Sequence, residues 1–282
     1  MPSTDTLATS TSPAPTRLLH PQARIAGSDI LRGFLAWRLW WGLGFQDIRI
    51  RYKRTYLGPL WITASMAATF VAMGILFSAV LKSEIRLYLP YLAFGMVTWN
   101  FLASTASDGP QIFVESQHII NSLKMPFSVH VLRYLVRNTI IFGHNLVAAL
   151  ATLWVLGGSL GHSWPLAFLG LPVLFLAAFS LGLILAIMGA RFRDLGPMIG
   201  MVIQLAFFLT PILWRLEDIP ASHRWLVSIN PAYHLVELIR APLMGGSTFW
   251  PSLLAATLTA LLLLGAAFAL LSIFRRRISY WL

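Results

Sequence analysis

The sequence predicts an all-α polytopic membrane protein with six transmembrane helices, an N-terminal amphipathic interface helix, and short re-entrant outer helices before the last span. Three observations lead to this class: 57% of the 282 residues are hydrophobic, only 11% are charged, and the mean hydropathy is +0.71. A soluble domain of this length has too small a core to bury so much apolar surface, so lipid must cover the remainder. The chain has no cysteine, so disulfides and thiolate metal sites are excluded.

Six segments are mostly apolar over about the 20 residues that a helix needs to cross the hydrocarbon core. They comprise residues 57–81, 88–107, 139–156, 165–190, 197–214 and 250–274. Four of the six have a proline in the first turn, where its missing N–H costs no helical hydrogen bond (Pro59, Pro165, Pro197 and Pro251). We therefore assign residues 57–282 to one six-span transmembrane domain.

The distribution of positive charge predicts the orientation of these spans. Sixteen of the 21 Lys and Arg residues lie before the first span, between spans two and three, between spans four and five, or after the last span. Cytoplasmic loops are enriched in Lys and Arg, so we expect both termini in the cytoplasm and the chain in a bacterial inner membrane. Because these charges are spread between long apolar segments, nucleic acid is not an expected partner.

Two segments precede the first span. Residues 1–28 are rich in Ser, Thr and Pro and are predicted to form a disordered cytoplasmic tail without a signal peptide. Residues 29–56 are predicted to form a helix at the cytoplasmic interface over 30–45, followed by a basic segment. Its Trp and Phe side chains suit the headgroup layer, and its cations suit anionic lipid. A plain membrane anchor and a receiver for an anionic lipid headgroup are both left open.

The inner connection, residues 108–138, mixes apolar and polar side chains. It is predicted to carry a helix, interrupted near Pro126, that either docks a partner subunit or rests on lipid. Arg133 and Arg137 are four residues apart, so we expect them to share one helix face and to reach toward the headgroups.

The outer connection, residues 215–249, is unusually apolar and is broken by Asn230 and Pro231. Two short helices that dip into the outer leaflet would bury its apolar pieces, provided that protein or water satisfies the turn between them. An ordinary loop packed on the helix ends is the alternative.

Missing motifs narrow the functional class. None of the three lysines follows a glycine, so the chain has no P-loop for nucleotide hydrolysis. No Asp or Glu lies inside the six predicted spans, where ion-coupled carriers place a carboxylate, and the metalloprotease motif H-E-x-x-H is absent. An intramembrane enzyme that uses His223, Asp218 and Glu237 remains as an alternative. Transport powered by a separate subunit fits these observations best, so we do not expect an enzyme.

Three segments resemble one family at matching places. Residues 51–61, with the sequence RYKRTYLGPLW, resemble the entry to the first span in the permeases of polysaccharide ABC exporters, which handle O-antigen, teichoic acid and capsule. Residues 190–194, ARFRD, are similar to the inner turn of that family after span four. Asn230-Pro231, followed by Glu237 and Arg240, is similar to its outer motif before span six.

The resemblance implies the permease subunit of an ATP-driven exporter that moves lipid-linked polysaccharide, such as O-antigen in lipopolysaccharide biosynthesis, across the inner membrane. It implies a homodimer bound to two ATP-binding cassette subunits. These partners would bind ATP and Mg²⁺, so this chain would need no cofactor of its own. Its remaining partners would be membrane lipids and a glycan on a polyprenyl pyrophosphate. The alternatives are a drug or small-lipid exporter or a capsule or teichoic acid exporter of the same architecture, and a membrane scaffold.

Four groups of candidate residues follow. For coupling to the ATPase they are Phe113, Glu115, Gln117, His118, Ile119, Asn121 and Lys124. For entry of the lipid headgroup they are Arg49, Arg51, Lys53 and Arg54. For the glycan pathway they are Tyr56, Trp61, Trp99 and Trp225, which are alternatively membrane-belt or packing aromatics. For an outer gate they are Asn230, Pro231, Tyr233, Glu237 and Arg240.

Overall fold

The computed structural model describes residues 19–53, 58 and 60–282, and all regular structure in those residues is helical. The α-helices in chain order are α1 (Leu19–Leu35), α2 (Trp37–Tyr52), α3 (Leu60–Val80), α4 (Ile85–Asp108), α5 (Ile112–Glu115), α6 (Gln117–Ser122), α7 (Phe127–Val155), α8 (Ala167–Arg191), α9 (Leu195–Leu209), α10 (Trp225–Ser228), α11 (Pro231–Met244) and α12 (Phe249–Trp281). Short 3-10 turns cover Gly109–Gln111, Trp164–Leu166, Leu216–Asp218 and Ala221–His223.

Four helices in the described part of the chain, α3, α7, α8 and α12, are long and apolar enough to cross a membrane. The other two predicted spans are also helical. The 24-residue α4 is long enough but more polar, with Arg86 and Asn100 along it. The 15-residue α9 is apolar but shorter than the hydrocarbon core is thick.

One end of the bundle, which we call the basic end, contains α1, α2, α5 and α6. Asp29 of α1 accepts hydrogen bonds from Phe127 N at the start of α7 and from Arg275 near the end of α12. The ends of α4 and α8 meet there as well, since a Cβ on Gly189 would lie 2.2 Å from the carbonyl oxygen of Pro110.

The opposite end, which we call the far end, contains α10 and α11. The Tyr88 hydroxyl at the start of α4 donates to Leu213 O after α9, at 2.5 Å. His234 of α11 lies 3.1 Å from the Ser252 hydroxyl at the start of α12. These contacts show that α4 and α12 start at the far end, whereas α7 starts and α8 ends at the basic end.

The short α9 runs antiparallel to α4. Its first residue, Leu195, packs on Ala106 near the end of α4, and Pro211 just beyond its last turn accepts a hydrogen bond from the Tyr91 hydroxyl near the start of α4. Fifteen helical residues rise only about 22 Å. The non-helical residues 210–214 cover the rest of the path, so the predicted helical span 197–214 is correct only up to Leu209.

The N-terminal region differs from its prediction in two ways. First, α1 begins at Leu19, so residues 19–28 are helical and do not belong to a disordered tail. Second, the predicted helix over 30–45 is broken at Ala36 into α1 and α2. The break has a packing reason: α1 lies against α7 and α12, whereas α2 packs mainly along α7, and one straight helix could not do both.

The inner connection is shorter than predicted because α7 already begins at Phe127. Helix α6 ends at Ser122, and Pro126 precedes α7, so the predicted interruption near Pro126 is confirmed. In the outer connection, α10 has only four residues, and α11 is buried along most of its length against α4, α8 and α12.

Candidate functional sites

Three side chains at the start of α7 each bind a different element of the basic end. Arg133 donates two hydrogen bonds, of 2.6 and 2.5 Å, to the carboxylate of Asp47 on α2. The Tyr134 hydroxyl donates to Glu115, the last residue of α5. Arg137 donates to Asp108 at the end of α4, at 2.6 Å. We call this set the α7 node.

The contacts of the α7 node differ from what was predicted for its two arginines. Arg133 and Arg137 were expected to reach toward lipid headgroups, but both are paired with carboxylates, and Arg137 is only 7% exposed. The guanidinium of Arg137 also lies 4.4 Å from the centre of the Tyr134 ring. A bidentate or cation–π contact fixes an arginine far better than a mobile headgroup does. The two arginines therefore hold elements together.

Asp29 is buried where α1, α7 and α12 meet. Its carboxylate accepts hydrogen bonds from the backbone N–H groups of Phe127 and Ser128, both at 3.2 Å, and from the side chain of Arg275. The first N–H groups of a helix have no partner within it, and a negative charge there is stabilised by the helix dipole. Asp29 therefore caps α7 from another helix, a role that the sequence did not reveal.

The predicted coupling residues separate into a buried and an exposed group. Phe113 is fully buried, with its ring centre 5.4 Å from that of Phe127, so it belongs to the core and cannot touch another subunit in this conformation. Its role in coupling stays a prediction. The exposed members are Glu115, His118, Asn121 and Lys124, and Gln117 and Ile119 are half-buried. They lie on α5, on α6 and just after it.

The basic segment of α2 faces solvent or lipid. Arg49, Arg51 and Lys53 are all exposed, and Arg54 lies outside the described residues. Trp37 and Trp41, one helical turn apart, are exposed by 56% and 50%. Aromatic and cationic side chains on one exposed helix suit a membrane interface, and this arrangement is compatible with both interpretations of the segment.

At the far end, Asn230 and Pro231 start α11 and tie it to α9. The Asn230 Oδ1 accepts from Ala232 N at 3.0 Å, and its Nδ2 donates to the Thr210 hydroxyl at 3.0 Å. Pro231 occupies the first helical position, which needs no N–H. The predicted chain break is therefore a helix cap.

Glu237 and Arg240 form a buried ion pair beneath this cap. Arg240, 1% exposed, donates to Glu237 from its Nε at 2.8 Å and also to the carbonyl oxygen of Pro211 at 2.7 Å. Its guanidinium lies 4.0 Å from the centre of the Tyr91 ring. The second oxygen of Glu237 accepts from the Thr248 hydroxyl at 2.6 Å. The pair thus joins α4, the segment after α9, α11 and the start of α12.

A pocket of about 400 Å³ opens above this ion pair at the far end, lined also by Arg215, Glu217 and Tyr233. Burial, together with the nearby carboxylate of Glu237, raises the pKa of Tyr233 to about 12. The phenol is therefore neutral at physiological pH. Four of the five outer-gate residues are thus buried or half-buried and bound to one another or to their neighbours.

The three predicted pathway aromatics that the structure describes lie at separate places. Trp61 begins α3 at the basic end and is 62% exposed, and Trp225 begins α10 at the far end and is 57% exposed. Tyr56 lies outside the described residues. Trp99 lies between them in a cleft of about 310 Å³ enclosed by α3, α4, α7 and α9, which also contains Asn100 and Asn145. We call this space the central cleft.

The described residues contain no cluster of three or more His, Asp or Glu side chains that could hold a metal ion. They form instead a helical bundle with a tied basic end, a buried ion pair at the far end, and between them a cleft lined by both apolar and uncharged polar side chains. The family model for ABC-2 type transporters matches residues 38–244, and the chain belongs to this family.

Several relatives support a narrower comparison. An "O-antigen export system permease protein RfbA" of Klebsiella pneumoniae is 28% identical over 72% of this chain and 78% of its own length. A protein of the same name from Myxococcus xanthus is 24% identical over 70% of this chain and 76% of its own. The "Polysialic acid transport protein KpsM" of Escherichia coli is 23% identical over 72% of this chain and 80% of its own. The predicted family is confirmed.

Proposed function

We propose that this chain is the permease subunit of an ATP-driven exporter that moves a lipid-linked polysaccharide across a bacterial inner membrane. The observation that carries the proposal is the set of relatives, which are named for export of O-antigen or polysialic acid and align over 70–72% of this chain. Both cargoes are polysaccharides. The central cleft also carries four uncharged polar side chains, which could hydrogen-bond to a hydroxyl-rich cargo.

The proposed membrane arrangement has six spans, formed by α3, α4, α7, α8, α9 and α12. The polar residues of α4 do not argue against this, because most of that helix is buried against its neighbours and few of its side chains would meet lipid. The charge asymmetry supports a cytoplasmic position for the basic end. Both termini would then be cytoplasmic.

The proposed site for the ATPase is α6 with the residues that follow it. This segment is exposed at the basic end, and the bond between Glu115 and Tyr134 ties the adjoining α5 to α7. A push on α6 would therefore reach the α7 node, and from there α2 and α4. ATP and Mg²⁺ would be bound by that partner, and the exposed cations Arg49, Arg51 and Lys53 would attract the pyrophosphate of the cargo.

The proposed active form is a homodimer. Helices α3 and α9 have few buried residues, and the polar central cleft lies between them and α4. A polar groove turned toward lipid would leave its groups without hydrogen bonds, whereas two copies that face each other would enclose it.

The test is deletion of the gene in its own bacterium, followed by complementation with the intact chain. We expect deletion to abolish surface polysaccharide, with lipid-linked glycan accumulating inside, and complementation to restore export. Surface glycan is measured by gel electrophoresis of cell-envelope extracts. Unchanged surface glycan together with increased drug susceptibility would contradict the proposal and favour a drug exporter.

A further inference from the structure

An apolar groove runs between α1 and α12 on the outside of the bundle. Its volume is about 570 Å³, and each helix lines it with four residues spaced i, i+3, i+4 and i+7, from Gly27 to Phe34 and from Leu261 to Phe268. This spacing makes one continuous strip on each helix. None of the described residues that line the space has a polar side chain. We call this space the α1–α12 groove.

Glycines create the groove, and a polar contact holds its two walls together. A Cβ on Gly265 would meet nothing within 4 Å, and a Cβ on Gly27 would lie 3.7 Å from the ring of Phe268, which is an ordinary contact. Asp29 of α1 accepts a hydrogen bond from Arg275 of α12 at 3.2 Å. Small residues on two connected helices thus leave a space that a molecule from outside the chain can fill.

The two helices run antiparallel along the groove, because Gly27, its first residue on α1, faces Phe268, its last residue on α12. Helix α12 starts at the far end with Phe249, so Leu261 and Phe268 lie about 18 and 28 Å from that end. The groove therefore lies in the second half of a hydrocarbon core about 30 Å thick, which is the leaflet at the basic end.

Both walls of the groove continue toward the basic end to an arginine. Arg24 lies about one turn beyond the groove on α1 and, at 3.6 residues per turn, within about 20° of Leu31 around the helix axis. Arg276 lies about two turns beyond the groove on α12, within about 20° of Gly265. The two guanidinium groups therefore flank the end of the groove.

These two charges are not neutralised by the described part of the chain. Arg24 and Arg276 are exposed, and neither pairs with a described carboxylate. Asp29 is buried and is already bound to Arg275. An apolar groove that ends between two exposed cations suits a molecule with an acyl chain and an anionic headgroup. Two copies of this chain that met at the groove would bring four like charges together.

We propose that the α1–α12 groove is a binding site for one anionic phospholipid of the leaflet at the basic end. One acyl chain lies in the groove, and the phosphate lies between Arg24 and Arg276. The lipid then joins α1 to α12 and stabilises the folded chain by binding to it. This site goes beyond the proposed function, since it does not depend on the cargo.

The first experiment measures heat stability of the full chain, purified with its ATPase in detergent and washed free of lipid. Samples are heated with added lipid, and the chain that stays soluble is measured on a gel. Saturating phosphatidylglycerol should raise the midpoint temperature by about 5 to 10 °C, as expected for a ligand at roughly 100 times its Kd. Phosphatidylcholine with the same acyl chains should raise it by less than about 2 °C, because it lacks net charge. Equal shifts by the two lipids would overturn the proposal.

The second experiment tests the arginines. Arg24→Gln with Arg276→Gln should raise the phosphatidylglycerol concentration that gives half of the shift by about thirtyfold, the scale of two lost contacts to an anionic lipid. The matched control is Arg32→Gln with Arg277→Gln. It removes the same charge from two exposed arginines that lie at least about 100° around their helices from every groove residue. If both double variants weaken binding equally, general surface charge attracts the lipid and the proposal fails.

The third experiment fills the groove. Gly265→Leu should abolish the response to phosphatidylglycerol and leave the midpoint without lipid unchanged or higher, since leucine enters empty space and favours a helix. Gly143→Leu is the control: this exposed glycine on α7 also has nothing within 4 Å of its Cβ and does not line the groove. It should keep the response. A full response from Gly265→Leu would show that the lipid binds elsewhere.

Native mass spectrometry gives a measurement that does not depend on stability. One phosphatidylglycerol per chain should remain bound to the wild type and to Gly143→Leu, and none to Gly265→Leu. Polyprenyl pyrophosphate is the competing probe. If it displaces phosphatidylglycerol at a lower concentration than phosphatidylglycerol itself needs to bind, the groove holds the lipid of the cargo and the proposal is wrong. None of these measurements requires transport, so their failure would leave the proposed function standing.

Discussion

Arg240 shows how single residues at the far end hold separate elements together. Burial alone would lower the pKa of Arg240, but attraction by Glu237 outweighs it, so the pKa is raised and the guanidinium stays charged. Gly95 on α4 makes room for this charge, since a Cβ there would lie 3.1 Å from Nη1. A buried pair of this kind is a weak source of net stability, but the loss of one partner leaves the other charge unpaired.

We therefore predict that Arg240→Met lowers the stability of the folded protein by about 3 to 5 kcal/mol, because Glu237 would remain buried without its partner. Thermal unfolding in detergent, followed by tryptophan fluorescence, measures the loss. The double change Arg240→Met with Glu237→Leu should recover most of it, since no buried charge then remains.

The control for this prediction is Arg224→Met at the same end of the bundle. Arg224 is exposed, and its side chain makes one hydrogen bond, to Ile219 O at 3.2 Å. Its replacement should change stability by less than about 0.5 kcal/mol. Equal effects of the two arginine substitutions would show that the ion pair does not hold the far end together.

At the scale of elements, the contact between α2 and α7 depends on one glycine. A Cβ on Gly44 would lie 2.7 Å from the carbonyl oxygen of Arg133, whereas a Cβ on Gly42, two residues earlier, would meet nothing within 4 Å. The first contact involves backbone, which cannot rotate away. Alanine substitutions of Gly44 and Gly42 therefore provide a matched test of how closely α2 packs against α7.

We predict that Gly44→Ala separates α2 from α7 and weakens the Asp47–Arg133 ion pair, which lowers thermal stability and export together. Gly42→Ala should leave export unchanged and raise stability slightly, since alanine favours a helix by about 1 kcal/mol over glycine. Melting curves and surface glycan are measured for both variants. Identical behaviour of the two would mean that α2 does not bind α7 closely.

A second prediction for a single helix is that α6 forms part of the binding site for the ATPase. Single cysteines at Gln117, His118 and Asn121 should form crosslinks to a cysteine-bearing ATPase in membranes, detected as a shifted band on a non-reducing gel. Ser222→Cys at the far end is the negative control. If none of the three crosslinks while the complex still assembles, the ATPase binds elsewhere.

These elements also show what a sequence can reveal. The apolar segments predicted α3, α8 and the start of α12 to within a few residues, because lipid imposes a length and a composition, but α12 continues seven residues beyond its predicted end at 274. The start of α7 was missed because its first three turns carry Arg133, Arg137 and Asn138, which resemble loop residues until their partners are known. Partners such as Asp47, 86 residues away, cannot be read from local spacing.

The candidate sites were predictable to different degrees. Asn230 and Pro231 carry a cap signature, and they do cap α11, whereas their role as an outer gate stays a prediction. The burial of Phe113 could not be predicted, because an apolar residue in a short helix suits a docking face and a core equally well. Asn100 and Asn145 were overlooked, although an amide inside an apolar segment is itself a signal of a cavity.

For the whole molecule, the main prediction is the side of the membrane on which each end lies. Ser222→Cys, at the far end, should react in intact cells with a maleimide that cannot cross the inner membrane but passes the outer-membrane pores. Ser279→Cys, near the C-terminus at the basic end, should react only after the inner membrane is opened. Both serines are exposed, so a reversed pattern would invert the proposed orientation.

The ties at the basic end have a consequence for how the chain is made. Asp29, Asp47, Asp108 and Glu115 all come off the ribosome before the α7 residues that they bind, and Asp47 precedes Arg133 by 86 residues. At a synthesis rate of roughly 5 to 20 residues per second, Asp47 waits roughly 4 to 17 seconds for its arginine. Asp29 waits for Arg275 across 246 residues, nearly the full length of translation. Until then, the early acidic side chains need hydrogen bonds from water or from another protein. The contacts of the bundle are complete only when α12 has left the ribosome.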